Sequence, residues 1–218
     1  METYINYFYK LILPATMITI RIVFFTMLIG FILGFIIASL LTMYGPNGLN
    51  YKKKFYMVLS FIVNTIRSFP ILILIVAISP FTRLVIGTTV GEKAVILPLS
   101  ITATAFIARL LESSFIKVDK QLIEAAKSFG ATNMQIMIGV IIKESVPSII
   151  SVLTMTTVNY IAATTIAGAV GGGGLGAVAL TYGYQSFNDA VLYFSVFVMF
   201  LIVNITQYIG DLIYKKLI

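Results

Sequence analysis

The chain has 218 residues, 59% of them hydrophobic and 11% charged, with a net charge of +7 and neither His nor Cys; its mean hydropathy is +1.02. A soluble domain carries roughly 25% charged residues, so the polar surface here is too small to coat a water-soluble globule, and the solvent is lipid. The absence of Cys excludes disulfides and thiolate metal sites, and the absence of His speaks against zinc and imidazole-base chemistry; in a membrane protein the excess of cations reflects one membrane face and not a nucleic-acid partner.

The opening stretch METYINYFYKLILPATM lacks a basic region followed by a small-residue cleavage site and reads as a retained, partly interfacial arm, not a signal peptide. Crossing hydrocarbon takes about 20 mainly apolar residues. Five segments qualify, at 17–43, 55–78, 94–111, 147–170 and 190–213. Backbone polar groups cannot stay unpaired in lipid, so all five are expected to be helices. The fold expected is therefore all-α: one polytopic membrane domain over residues 1–218 with five transmembrane helices.

In the first span, Arg21 is expected to snorkel to the outer boundary. In the second, Ser60, Asn64, Arg67 and Ser68 share one helix face as a polar stripe, and Pro70 frees a carbonyl and predicts a kink. An arginine inside the membrane costs about 2.5–3.5 kcal/mol or more unless it faces protein or water. Arg67 either lines a pathway or gate, or snorkels to a boundary deeper than the span limits drawn here. At the inner end of the third span Arg109 and Glu112 are three residues apart and are expected to form a structural pair. The fourth span carries Ser151, Thr154 and Asn159, together with Ala163, Ala167 and Gly171 at a small-xxx-small spacing that favours close helix contact. The pathway or gate candidates are Asn64, Arg67, Ser68, Pro70 and Asn159.

Lys52, Lys53, Lys54, Lys117, Lys120, Lys127, Lys143, Lys215 and Lys216 fall in the first loop, the third loop and the tail. Only Lys10, Arg83 and Lys93 fall on the other side. This bias places the N-terminus outside, the C-terminus inside and residues 112–146 in the cytoplasm.

GAVGGGGLGAV (168–178) contains the spelling G-x-G-x-x-G, which in a dinucleotide domain follows a strand. Here it follows an apolar helix, lies on the outer side and has no Walker lysine after it. The stretch reads as a tight exit from the fourth helix, where absent side chains let backbones approach.

The cytoplasmic stretch KVDKQLIEAAKSFGATNMQIMIGVIIKESVPSII carries the most local information. Asp119 is a candidate N-cap, and Leu122, Ala126 and Phe129 form one apolar face. Lys127 suits the last turn, Gly130 is a natural C′ residue, and Thr132 with Gln135 predicts a capping box. The spacing predicts a helix, a sharp glycine turn and a second helix, either a docking element or a solvated amphipathic connector.

EAAKSFG resembles the EAA loop of ABC importer permeases. NTIRSFPILILIVAISPFTRLVIGTTVG, PLSITATAFIARLLESS and GAVGGGGLGAVALTYGYQ together resemble the methionine-type members of that family, over most of residues 55–211. The chain departs from the pattern at VIIKESVP, where Lys143 stands at a position usually held by Pro. The resemblance implies the type I ABC importer permease fold in a bacterial plasma membrane. It makes Glu124, Ala125, Ala126 and Gly130 the ATPase-coupling residues. It further implies a separate cytoplasmic ATPase that uses the ATP, no cofactor on this chain, and an extracytoplasmic substrate-binding lipoprotein. One chain offers one such loop whereas these ATPases resemble paired engines, so a homodimer is expected. The competing reading is a secondary transporter driven by an ion gradient. Against it, all eight acids lie in loops or at span ends, and five spans do not divide into an inverted repeat.

The charge asymmetry sets a topology that labelling reads directly. In the cysteine-free chain, single cysteines in place of Asn47, Ser128 or Lys216 should react from the cytoplasm, and one in place of Thr88 from outside. Labelling of position 128 from outside would reverse the orientation.

Overall fold

In the computed structural model, which describes residues 7–217, every regular element is helical. Helix α1 (Phe8–Tyr44) is continuous over 37 residues. It begins two turns before the expected 17–43 segment because a π-turn over Phe8–Ile12 leads into Pro14 near the start of the α-helical run. Pro14 has no N–H to give to the turn behind it, and the Leu13 N–H donates five residues back to Phe8 O.

The second expected span is not one kinked helix. Helices α2 (Lys53–Ser68) and α3 (Ile71–Ala77) meet at 104° across Phe69 and Pro70. Proline drives the residue before it out of helical geometry, and Phe69 is extended with ψ 133. A short helix α4 (Ser79–Ile86) follows and stops at Gly87, whose φ is +88. Both α3 and α4 lie against α5 (Glu92–Phe115).

Helix α5 is the central post. Leu99, Ala103, Ile107 and Leu111 recur every four residues and are fully buried, and the helix touches α1, α2, α3 and α4. Its closest neighbour is α1, because Gly30 and Gly34 face it. A Cβ on Gly30 would lie 2.6 Å from Ala103 Cβ, and one on Gly34 would lie 3.0 Å from Ile107. Absent side chains at i and i+4 therefore let the two backbones meet.

Two short helices, α6 (Lys120–Ser128) and α7 (Asn133–Ile142), lead into α8 (Val146–Ala167). The glycine run then reverses the chain. Gly171, Gly173 and Gly174 have φ of +89, +78 and +82, values that side chains on L-residues disfavour. The next helix, α9 (174–185), folds back along the end of α8, where a Cβ on Gly176 would strike Thr165. The Leu175 N–H donates to Thr19 Oγ1 at 2.8 Å, and the Gly91 N–H donates to Gly171 O at 2.8 Å. The glycines thus serve close backbone approach among α1, α8, α9 and the start of α5. Helix α10 (Asp189–Lys215) closes the fold; its Val191 packs with Ile12, Ala15, Leu175 and Val178 in a small second core.

Among the described residues four helices are long and apolar enough to cross a membrane, and the bent pair α2/α3 makes a fifth, broken span. One end of the bundle gathers the loop after α1 with α6, sharing a recess lined by Asn47, Gly48, Lys120, Glu124 and Lys127. The last turns of α10 reach the same end, since Gly210 lies against Thr154 near the start of α8. Gly91 and Gly171 mark the opposite end, where Arg21, its side chain 57% exposed, pairs with Glu92 at 3.3 Å.

The α1–α5 seam gives a stability test. Gly30→Val places a β-branched side chain where 2.6 Å separates the added atom from Ala103, and overpacking of this kind costs about 1–3 kcal/mol. A lower unfolding midpoint by circular dichroism is expected, with Gly139→Ala as a control because its Cβ would meet nothing within 4 Å.

Candidate functional site

At the charged end, α6 and α7 form a stiff projection whose rigidity is written in local hydrogen bonds. Asp119 caps α6 by accepting from the Gln121 N–H at 2.8 Å. At the other terminus the Gly130 N–H donates to Lys127 O and the Ala131 N–H to Ala126 O, with Gly130 at φ +79. These are the paired bonds of a Schellman motif, which need a left-handed residue at C′. Thr132 then opens α7 with a reciprocal capping box: its N–H donates to Gln135 Oε1 at 2.8 Å and its Oγ1 accepts from the Gln135 N–H.

The projection does not bury the face expected from sequence. Ile123, Ala126 and Ala131 pack on the core with Phe115, Ile136 and Met137, whereas Leu122 is exposed and Phe129 is 91% exposed. The spacing of Leu122, Ala126 and Phe129 identifies a helical face, but only the packing of neighbours decides which part of it turns inward. Glu124, Ala125 and Gly130 are all exposed, and Ala126 is half-buried. The outward side therefore presents an acid, two large apolar side chains and a glycine turn on one rigid unit.

Beneath the projection, Arg109 Nη1 and Glu112 Oε2 are 2.6 Å apart, as their spacing predicts, and Glu112 is 2% exposed. A third member was not legible from spacing: the Tyr56 hydroxyl donates to Glu112 Oε1 at 3.2 Å. The cluster pins the first turn of α2 to the last turns of α5.

The second group of candidates lies deeper. Arg67 is 14 residues beyond the start of α2, about 21 Å along the helix. Its guanidinium lies over the ring of Phe106, with Cζ 5.1 Å from the centroid. Its Nε is buried without a hydrogen-bond partner. Asn64 and Ser68 lie on the open face of α2; Asn64 Nδ2 reaches Ser60 Oγ at 3.5 Å, and the Ser68 hydroxyl donates to Asn64 O at 2.9 Å. Pro70 sits at the break and turns Ile71 toward α5 and α8.

Asn159 on α8 is exposed in the protomer and lines a recess of about 390 Å³ with Ile71, Phe106, Leu110, Met155 and Tyr160. The structure thus brings Arg67 and Asn159 to a shared surface through Phe106, and leaves Asn64 and Ser68 on the outer stripe. Phe106, Leu110 and Met155 give no signal in sequence, being apolar residues in apolar helices. A second polar groove, between α8 and α10, is lined by Ser151, Thr154, Gln207 and Asp211.

A broken membrane helix, a helix folded back after a glycine run and a capped helix pair projecting from one end mark a polytopic transport component. Comparison with known proteins gives the family. A family model described as the binding-protein-dependent transport system inner membrane component matches residues 43–218, and the chain belongs to that family. A probable D-methionine transport system permease protein, MetI, of Vibrio cholerae is 39% identical, over 94% of this chain and 92% of the relative. The methionine import system permease protein MetP of Bacillus subtilis is 44% identical, over 74% and 73%. Among solved structures, an inward-facing conformation of the MetNI methionine ABC transporter superposes with a TM-score of 0.93 at 34% identity, covering 95% of this chain and 96% of that one. The fold is that of a type I ABC importer permease, in a multi-pass protein of a bacterial inner membrane.

The Tyr56–Glu112–Arg109 cluster is testable on its own. Glu112→Ala strands the hydroxyl of Tyr56 and leaves Arg109, whose side chain is 32% exposed, to water. A loss of about 1–3 kcal/mol is expected. Tyr56→Phe, which removes one hydrogen bond only, should cost about 0.5–1.5 kcal/mol. Thermal unfolding of the two variants in the same detergent checks the order.

Proposed function

We propose that this chain is the membrane-spanning permease subunit of an ATP-driven importer of methionine. It works as a homodimer with two cytoplasmic ATPase subunits and receives substrate from an extracytoplasmic binding lipoprotein. The chain itself catalyses no reaction and holds no cofactor; ATP is bound and hydrolysed on the partner. The observation that carries this reading is the capped α6–Gly130–α7 projection with Glu124 exposed on it.

Glu124, Ala125, Ala126 and Gly130 are the coupling residues in this reading. Ala126 seats the projection on the core, Ala125 leaves room for a close partner surface, and Glu124 offers an anion to a basic group on the ATPase. The N-terminus is outside and the C-terminus inside, which puts the projection on the side where ATP is found. The names of the relatives support methionine as the substrate.

Support for a second copy comes from polar groups left open in the protomer. Asn64 and Ser68 on α2, Asn159 on α8 and Asn204 on α10 are exposed on helices that lipid surrounds. Polar side chains at membrane depth face protein or water, and a second copy supplies both a covering surface and a wet passage between the two. Asn64, Arg67, Ser68, Pro70 and Asn159 line that passage, with Pro70 setting the break that opens it.

Reconstituted vesicles carrying the chain, its ATPase and its binding protein test the reading. Methionine uptake should require ATP, and the native mass of the complex should give two copies of this chain per two ATPases. Glu124→Ala should insert normally and lose at least about tenfold in uptake, the equivalent of one charge-assisted contact. Gly130→Val should weaken ATPase recovery through its φ of +79 and not through crowding within this chain, where a Cβ would meet nothing within 4 Å. Gly130→Asn, which tolerates that geometry, should retain more activity. Wild-type uptake by both Glu124→Ala and Gly130→Val would reduce the projection to a connector.

A further inference from the structure

The recess between α3, α5 and α8 carries chemistry that a plain passage does not need. Phe106, Leu110 and Met155 give it an apolar floor, and Asn159 adds a neutral donor and acceptor. Its volume of about 390 Å³ is in the range of small-molecule sites. Beside it stands a cation without an anion. The two ion pairs among the described residues are Arg21–Glu92 and Arg109–Glu112, and neither involves Arg67. Arg67 instead rests on the ring of Phe106, the residue that also forms the wall of the recess, and its Nε is buried and unpaired. Arg67 and Asn159 are 14 and 13 residues from the starts of α2 and α8 at the charged end, or about 20 Å along each helix.

We propose that this recess is a substrate site inside the membrane domain for a zwitterionic α-amino acid with a flexible apolar side chain. It rests on the importer reading above. The substrate carboxylate takes the place of the missing anion on the Arg67 guanidinium, whose planar fork matches a carboxylate. The side chain enters between Phe106, Leu110 and Met155, where a thioether gains a favourable sulfur–aromatic contact. Asn159 Oδ1 accepts from the substrate ammonium. An apolar solute would leave Arg67 unpaired, and an acidic side chain would meet the apolar floor, so both are rejected.

The test uses the complete complex of this chain with its ATPase subunits in nanodiscs, without binding protein. Equilibrium binding of tritiated L-methionine is competed with unlabelled L-methionine and with L-methioninamide, which lacks the carboxylate. The wild-type complex should prefer methionine over the amide by about tenfold or more, a measurement that needs no variant. Arg67→Gln should bring the two ligands to within about twofold of each other, while Arg67→Lys, which keeps the charge, should retain part of the preference. Absence of methionine binding in the wild type, no discrimination against the amide, or an undiminished preference in Arg67→Gln would each overturn the proposal. ATP-driven uptake measured on the same complex with binding protein separates the two readings. Uptake without binding in the absence of binding protein removes the recess alone, whereas binding with the expected preference but no uptake supports the recess and removes the importer reading.

Discussion

The close contact between α1 and α5 is the constraint on which the rest of the bundle depends. Lipid tails are as apolar as leucine, so no hydrophobic force gathers these helices once they are in the membrane. Association has to come from dispersion at short range and from polar contacts. Gly30 and Gly34 supply the short range by bringing the α1 backbone onto Ala103 and Ile107. With α1 fixed there, α5 becomes the post to which α2, α3 and α4 attach.

The two ends of that post are finished in different ways. At one end the buried carboxylate of Glu112 collects Arg109 from its own helix and Tyr56 from α2, and Phe115 then meets Ile136 and Met137 beneath the projection. A displacement of α6 and α7 would therefore press on the end of α5 and the start of α8 together. At the other end the one charged contact, Arg21 with Glu92, is longer and more exposed, and backbone contacts do most of the joining. Gly91 and Gly171 join backbone to backbone, and Thr19 accepts from Leu175, so α1, α5 and α9 are held by groups with almost no side chain to rearrange.

What could be read in advance follows the range of the interaction. The caps at Asp119, Thr132 and Gly130 involve partners two to five residues away, and the sequence alone states them. The Arg109–Glu112 pair is also local. Pro70 announces a disturbance, but its size of 104° is set by how α3 and α4 lie on α5, which no local rule contains. The orientation of Leu122 and Phe129 fails for the same reason: a face is a property of one helix, burial a property of two. Tyr56 is 56 residues from Glu112, and Phe106 is one aromatic among 16 Phe in the chain, so their roles emerge only when the helices are assembled. The contact made by Gly30 and Gly34 emerges only in the assembled bundle too, because glycine is common in membrane helices.

The length of α1 has a consequence for the bilayer itself. Its exposed apolar side chains run from Leu13 to Ile36, about 36 Å of helix against a hydrocarbon layer of about 30 Å. A free helix relieves such an excess by leaning over. This one is held to α5 at Gly30 and Gly34 and, through Thr19, to α9, so its lean is already set by the protein. Whatever excess that fixed lean leaves falls on the lipid, and longer acyl chains should then gather beside α1 in preference to shorter ones.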